Sequence, residues 1–240
     1  RNLHLRGTGD VVLSKIRFDT DGIVLEDLAI DQTGINKITG RDFHSRMRGN
    51  VVLDNVEVYG VAAQNAASLY FINTPTATTQ VLILNSYFHN GSGDLLSTSG
   101  TNVPAINAAS IVQVFNTVGH TAGPQENNQV LTAHTGLRVV AVGGSYYDAV
   151  SNVVAPDNLT EISLYFVTVS AGARYAGIQT TQNSAVIYGC TLLDQRYQTH
   201  YGTLENNVII TTPTMTTGRF LTLEDGAVFK KNGVTYSNTT

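Results

Sequence analysis

The chain has little charge and almost no cysteine. Asp, Glu, Lys and Arg make up 13% of its 240 residues, about half the share usual for a soluble protein. Net charge is −4 and the pI is near 5.8. That argues against a nucleic-acid surface, because phosphate binders concentrate Lys and Arg. The one cysteine, Cys190, excludes a disulfide within the chain and any cysteine-based metal cluster, and reads as a small buried apolar residue. No apolar run approaches the roughly 20 residues that span a bilayer, so membrane insertion is not expected. No signal peptide is visible. A first residue, Arg1, that is not methionine reads as a piece of something longer.

Gly, Asn, Thr, Ser and Val are abundant instead. These residues suit strands and tight turns rather than helices. Hydrophobic content is 42%, enough for a dry core, and disorder is not expected.

A repeat organises the chain. Segments beginning at Ile23, Val51, Val81, Val112, Val140, Ile162 and Ala185 share the form apolar-x-apolar-x-B-y-x-apolar, with Thr203 to Ile210 a less regular copy. Position B is Asp27, Asn55, Asn85, Asn116, Gly144, Phe166, Gly189 and Asn207, recurring 18 to 31 residues apart. Before B the apolar residues alternate, as in a strand with one buried face. At B the alternation changes phase, so that B+1 and B+3 point inward. Asn and Gly tolerate left-handed backbone angles, and a phase change there signals a bend between two strands. Shorter apolar stretches, Leu69–Ile72, Val130-Leu131 and Val153-Val154, precede several copies and supply a third strand per turn. The fold expected is all-β, a parallel β-helix of about eight or nine coils. Ile23, Leu25, Leu53, Ile83, Val114, Val142, Leu164 and Ile187 would form one axial core.

With these residues in view, the chain resembles the right-handed parallel β-helices of the pectate-lyase type, and among them bacteriophage tailspikes most closely. The resemblance covers residues 20 to 212. It implies an asparagine ladder on Asn55, Asn85, Asn116 and Asn207, with Asp27 as a substitute and breaks at Gly144, Phe166 and Gly189. It also implies a parallel homotrimer, a location on the virion tail and a bacterial surface polysaccharide as partner. The lyases' calcium-binding carboxylates and catalytic arginine have no counterpart here, which counts against a lyase.

The β-helix is expected over 1–212 and a cap or oligomerisation segment over 213–240. Val11, Leu13, Ile16 and Phe18 repeat the motif too soon for a full coil and read as another face of the first one. Val228 to Tyr236 reads as a closing hairpin turning at Asn232-Gly233. It would cover a strand edge that a solenoid otherwise leaves open.

The same register places B+2 and B+4 outward. Column B+2 reads Ala29, Glu57, Tyr87, Val118, Tyr146, Thr168 and Thr191, and column B+4 reads Asp31, Tyr59, His89, His120, Asp148, Ser170 and Leu193. Carboxylates and aromatic rings thus gather in the early coils and are missing from the late ones. Sugar C–H faces stack on rings while carboxylates and imidazoles take the hydroxyls. Tyr59, Tyr87, His89, His120, Tyr146 and Asp148 are therefore the candidate sugar contacts. Asp31 and Glu57 are the candidate acid/base pair, since glycoside hydrolysis needs two carboxyl groups about 5 to 9.5 Å apart. The competing reading is a polar surface that only keeps an exposed sheet soluble.

Other chemistry is less well supported. His89 and His120 lack a third metal ligand, and no cofactor motif is present. Arg41, Arg46 and Arg48 form a basic cluster that would suit an acidic polysaccharide, but a solvated loop is the stronger reading. Loops at 60–80, 90–111 and 120–138 are long enough to wall a groove, with tips at 91–94 and 124–128. Outward Val118 and Leu193 suit a subunit contact. The leading functional reading is a receptor-binding tailspike domain that recognises a bacterial surface polysaccharide, with hydrolysis of it as an added activity. Its rivals are a structural or adhesive β-helix on a bacterial surface and a free pectinase-type enzyme.

Overall fold

A computed structural model describes residues 3–14, 19–31, 33, 46–60, 69–72, 78–89, 96–99, 111–120, 131–133, 138–147, 154–156, 162–170, 186–193, 199–200, 203–210, 222–223, 228–231 and 234–237. Among these the regular structure is all strand, and 22 strands join one sheet. Nearly all pairing is parallel and follows the sequence repeat. A first ladder stacks Leu3–Arg6, residues 23–26, residues 51–54, Gln80–Leu84, Ile111–Phe115 and Arg138–Val142. It continues through Ile162–Tyr165, Val186–Tyr188, Thr203–Glu205 and Val228–Lys231.

A second ladder begins just past the bend. It runs from Val12–Ser14 through residues 29–31, residues 57–59, Tyr87–His89 and Val118–His120. Ser145–Tyr147, Thr168–Ser170, Thr191–Leu193 and Val208–Ile210 complete it. A third joins residues 19–21 and 46–48 to Leu69–Ile72, Leu96–Ser99, Leu131–Ala133 and Val154–Pro156. Within each ladder, strands pair with their counterparts in the neighbouring repeats, an arrangement consistent with a parallel β-solenoid.

The bend is set by backbone conformation. The only non-glycine residues with positive φ among those described are Asp27, Asn55, Asn85, Asn116, Phe166 and Asn206, at 47° to 56°. Gly143 and Gly189 take the same role at 65° and 63°. Each bend reverses the phase of burial. Ile23, Leu25, Val51, Leu53, Val81, Ile83, Val112, Val114, Ile162, Leu164 and Ile187 are buried before it, and Leu28, Ile30, Val56, Val58, Phe88, Val167 and Val169 after it, in one cluster. Ser86 and Thr117 also turn inward just after a bend. Their hydroxyls donate to the carbonyls of Leu84 and Phe115 at 2.7 and 3.1 Å, which satisfies polar groups that burial would otherwise penalise.

The structure shifts two bends by one residue. Val142 pairs with Phe115 and Tyr146 with Gly119, so the fifth bend falls at Gly143 rather than Gly144. Val139 and Ala141 enter the core there, and Val142 does not. Four successive apolar residues followed by two glycines fit either phase. The ladder decides between them, because Gly119 leaves room for the Tyr146 ring. The last bend likewise falls at Asn206, and Asn207 follows it. The Asn207 amide accepts the Cys190 N–H at 2.8 Å and donates to the Ile187 carbonyl at 2.9 Å.

Two further expectations change. Asn55 donates to the carboxylate of Asp27 one coil earlier at 3.1 Å, the ladder contact expected with Asp27 as a substitute, whereas Asn85 donates to Asp54 at 3.4 Å rather than to Asn55. Their side chains sit on the exposed outside of the bend, where a carboxylate keeps its hydration and still accepts. The N-terminal stretch supplies rungs of its own in both ladders; Ile16 and Phe18 lie outside the described residues. At the other end, Val228–Lys231 and Val234–Ser237 pair antiparallel, with Lys231 opposite Val234.

Candidate functional site

The second ladder carries the candidate residues on its outer face. Its inward positions hold Leu28, Val56, Ser86 and Thr117, then Ile30, Val58, Phe88 and Gly119. The side chains between them must point out. Register then aligns Ala29, Glu57, Tyr87, Val118 and Ser145 in one column, and Asp31, Tyr59, His89, His120 and Tyr147 in the next. Rungs stand about 4.8 Å apart, which brings flat rings on successive coils into stacking range.

The rings form a continuous column. His89 stacks on Tyr59 at a centroid distance of 5.5 Å and on Tyr87 at 4.2 Å, with interplanar angles of 19° and 18°. His89 and His120 stack at 5.7 Å, and His120 stacks on Tyr147 at 4.9 Å. Polar atoms tie the column together. His89 Nε2 lies 2.7 Å from Glu57 Oε1, and the Tyr87 hydroxyl lies 2.8 Å from His120 Nε2. A carboxylate only accepts, so Nε2 of His89 carries the proton it shares with Glu57. Burial, the adjacent Tyr147 phenol and the Glu57 carboxylate all raise the pKa of Tyr87.

Beside the column, where the bend meets the outer face, lies an open groove of about 300 Å³. Asp27, Asn55 and Asn85 line it from the bend, Glu57 and Tyr87 from the ladder, and Asp10 from the N-terminal rung. Among the described residues, no Lys or Arg lines it. Asp27 is held below the ordinary carboxylate range, first by the Asn55 amide and then by Arg6, whose Nε lies 3.2 Å away. The groove therefore presents fixed acceptors and one ring that is 36% exposed, that of Tyr87.

The structure gathers Asp31, Glu57, Tyr59, Tyr87, His89 and His120 on this face. Asp31 Oδ1 accepts the Thr33 N–H at 2.8 Å, while Glu57 engages His89. Tyr146 does not belong there. It is 1% exposed, because the bend one residue earlier turns it into the core, and Tyr147 takes its place outside. Asp148 lies outside the described residues, as do Arg41, the loop tips at 91–94 and 124–128 and the side chain of Leu193. Of the contributors the sequence reading missed, Tyr147 was hidden by the double glycine at 143–144. Asp10 was hidden because the N-terminal rung was not recognised.

No protein-family model matches the chain, and neither a curated protein nor a solved structure matches it.

Proposed function

We propose that this chain is the receptor-binding right-handed β-helix of a tailspike-type viral protein, and that it holds a bacterial surface polysaccharide on the outer face of its second ladder. The observation that carries this reading is the column of Tyr59, His89, Tyr87, His120 and Tyr147 beside a groove of carboxylates and amides. Rings offer stacking surfaces to sugar C–H faces, and fixed acceptors take hydroxyl protons. Repetition along the axis suits a polymer better than a small ligand. Three carboxylates and, among the described residues, no lining cation favour a sugar without acidic substituents.

Assembly as a parallel homotrimer accompanies this reading. Its support comes from the outer face of the first ladder, where Leu82, Leu84, Phe115, Val140 and Val142 are only partly buried. Parallel sheets are ordinarily covered on both faces, and neighbouring copies of the chain would cover this one. The test of function is to incubate the protein with surface polysaccharides from a panel of bacteria and to measure both retention and released reducing ends. Retention of one neutral polymer is the expected result. Failure to retain any would overturn the reading, and release of oligosaccharides would add hydrolysis to it.

A further inference from the structure

The bend column contains one residue that backbone physics does not favour. Five of its six non-glycine members are Asp or Asn, which tolerate the left-handed region; the sixth is Phe166, at φ 56°. For a bulky side chain that conformation is an outlier. Outliers retained at a cost in stability concentrate at functional sites. The ring is also the most exposed of the large hydrophobics described, at 62%. It lies over Gly189, where an added Cβ would come within 2.7 Å of it, and meets Tyr188 edge to face at 5.7 Å and 89°. Phe166 N–H donates to the Tyr188 carbonyl at 3.0 Å, so the ladder holds the backbone in place and the ring is presented rather than loose.

Its position gives the ring a use. Asp27, Asn55 and Asn85, the bend residues that line the groove, belong to the same column as Asn116, Gly143 and Phe166. Phe166 stands three rungs beyond Asn85, about 14 Å along the axis. Between them, the Asn116 carboxamide reaches over Gly143, whose missing Cβ would lie 2.6 Å from Asn116 Oδ1. The column thus runs from acceptors and amides to an aromatic platform, in the direction a polymer leaving the groove would follow.

We infer that Phe166, cornered by Tyr188, is a second sugar-contacting subsite that takes the C–H face of a ring further along the polymer bound in the groove. This rests on the polysaccharide reading above. A residue serving only the bend would be Asn, Asp or Gly, as in the other coils.

The experiment uses the full chain, Phe166→Asn and Phe166→Trp, with neutral gluco-, galacto-, manno- and chito-oligosaccharides of two and eight units. Asn suits the left-handed bend, so Phe166→Asn is expected to fold with an unchanged or raised denaturation midpoint. It should bind the eight-unit form about two- to tenfold more weakly and the two-unit form as before. The chain has no tryptophan, so emission from Phe166→Trp reports on this position alone and should shift with the eight-unit ligand only. Equal affinity of the original chain and Phe166→Asn for the eight-unit form would overturn the subsite and leave the groove standing. Failure of every oligosaccharide to bind the original chain would remove the groove, and the subsite with it. A drop in oligomer mass in Phe166→Asn on light scattering would assign the ring to a subunit contact and overturn the inference.

Discussion

His89 Nε2 lies 2.7 Å from Glu57 Oε1, joining two successive coils across the outer face. The carboxylate remains accessible, with its side chain 45% exposed, while the imidazole is 14% exposed and wedged between Tyr59 and Tyr87. Glu57 thus holds the imidazole of the stack in one orientation and still faces solvent. Solvent screening keeps such a pair from contributing much to stability. Glu57→Gln retains an oxygen acceptor for His89, so the urea midpoint should correspond to a change within about 1 kcal/mol. If the chain cleaves its polysaccharide, this variant should bind it and no longer cleave it. A larger loss of stability would make the carboxylate structural.

Ile83 is fully buried, with Val81 two residues before it and Leu53 and Val114 aligned with it in the neighbouring coils. A stacked column has neighbours on both sides that cannot easily collapse into a gap. Ile83→Ala should therefore cost about 2–5 kcal/mol, read from denaturant unfolding. A cost well below 2 kcal/mol would indicate a loosely packed core.

The core was legible because alternation and phase change carry the same message in most coils. At Asn55 and Asn85 a single left-handed residue sits between unambiguous apolar pairs, so Glu57, Tyr87 and His89 could be placed outside from sequence alone. Where the pattern is degenerate, the local signal runs out. Val139 to Gly144 reads equally well in two phases, and only pairing with the preceding coil settles that Tyr146 goes in and Tyr147 out. A one-residue slip exchanges the faces of everything downstream. The groove was not legible, because its Asp10 wall comes from a rung whose strands, Leu3–Arg6 and Val12–Ser14, are too short to show a period.

Tyr146 carries a consequence of that slip. Its hydroxyl is buried and has no hydrogen-bond partner among the described residues, and burial pushes its pKa well up. An unsatisfied buried hydroxyl is a cost that phenylalanine removes at nearly constant shape. Tyr146→Phe should leave stability unchanged or raise it by about 1 kcal/mol, whereas Tyr146→Ala should lose about 3–5 kcal/mol. Neither variant removes a ring from the outer face. Destabilisation by Tyr146→Phe in thermal unfolding would show that the hydroxyl does have a partner.

Asp27 gives the fold an acid-sensitive point. Its ionised form accepts from Asn55 and then from Arg6, and both lower its pKa from 3.8. A carboxyl with a folded pKa below its unfolded value stabilises above the unfolded value and loses that contribution as pH falls through the folded one. Stability should accordingly fall at the acid end below about pH 4, and Asn55→Ala should move the Asp27 titration back toward 3.8, as followed by NMR. An unmoved titration would mean that Arg6 alone sets it.

Tyr87 separates stacking from hydrogen bonding at the proposed sugar surface. Its ring packs on His89 at 4.2 Å, its hydroxyl reaches His120 at 2.8 Å, and it lines the groove. No core residue depends on it, since it points away from Phe88 and Ser86 on either side. Tyr87→Phe keeps the ring and gives up the tie to His120. Tyr87→Ala gives up both. If sugars bind by stacking, Tyr87→Phe should bind the retained polymer nearly as well as the original chain. Tyr87→Ala should then bind about two- to tenfold more weakly, the worth of one aromatic contact, with an unchanged denaturation midpoint. Equal losses in both variants would mean that the hydroxyl and the His120 it positions do the binding. Unchanged affinity in both would move the polymer off this face altogether.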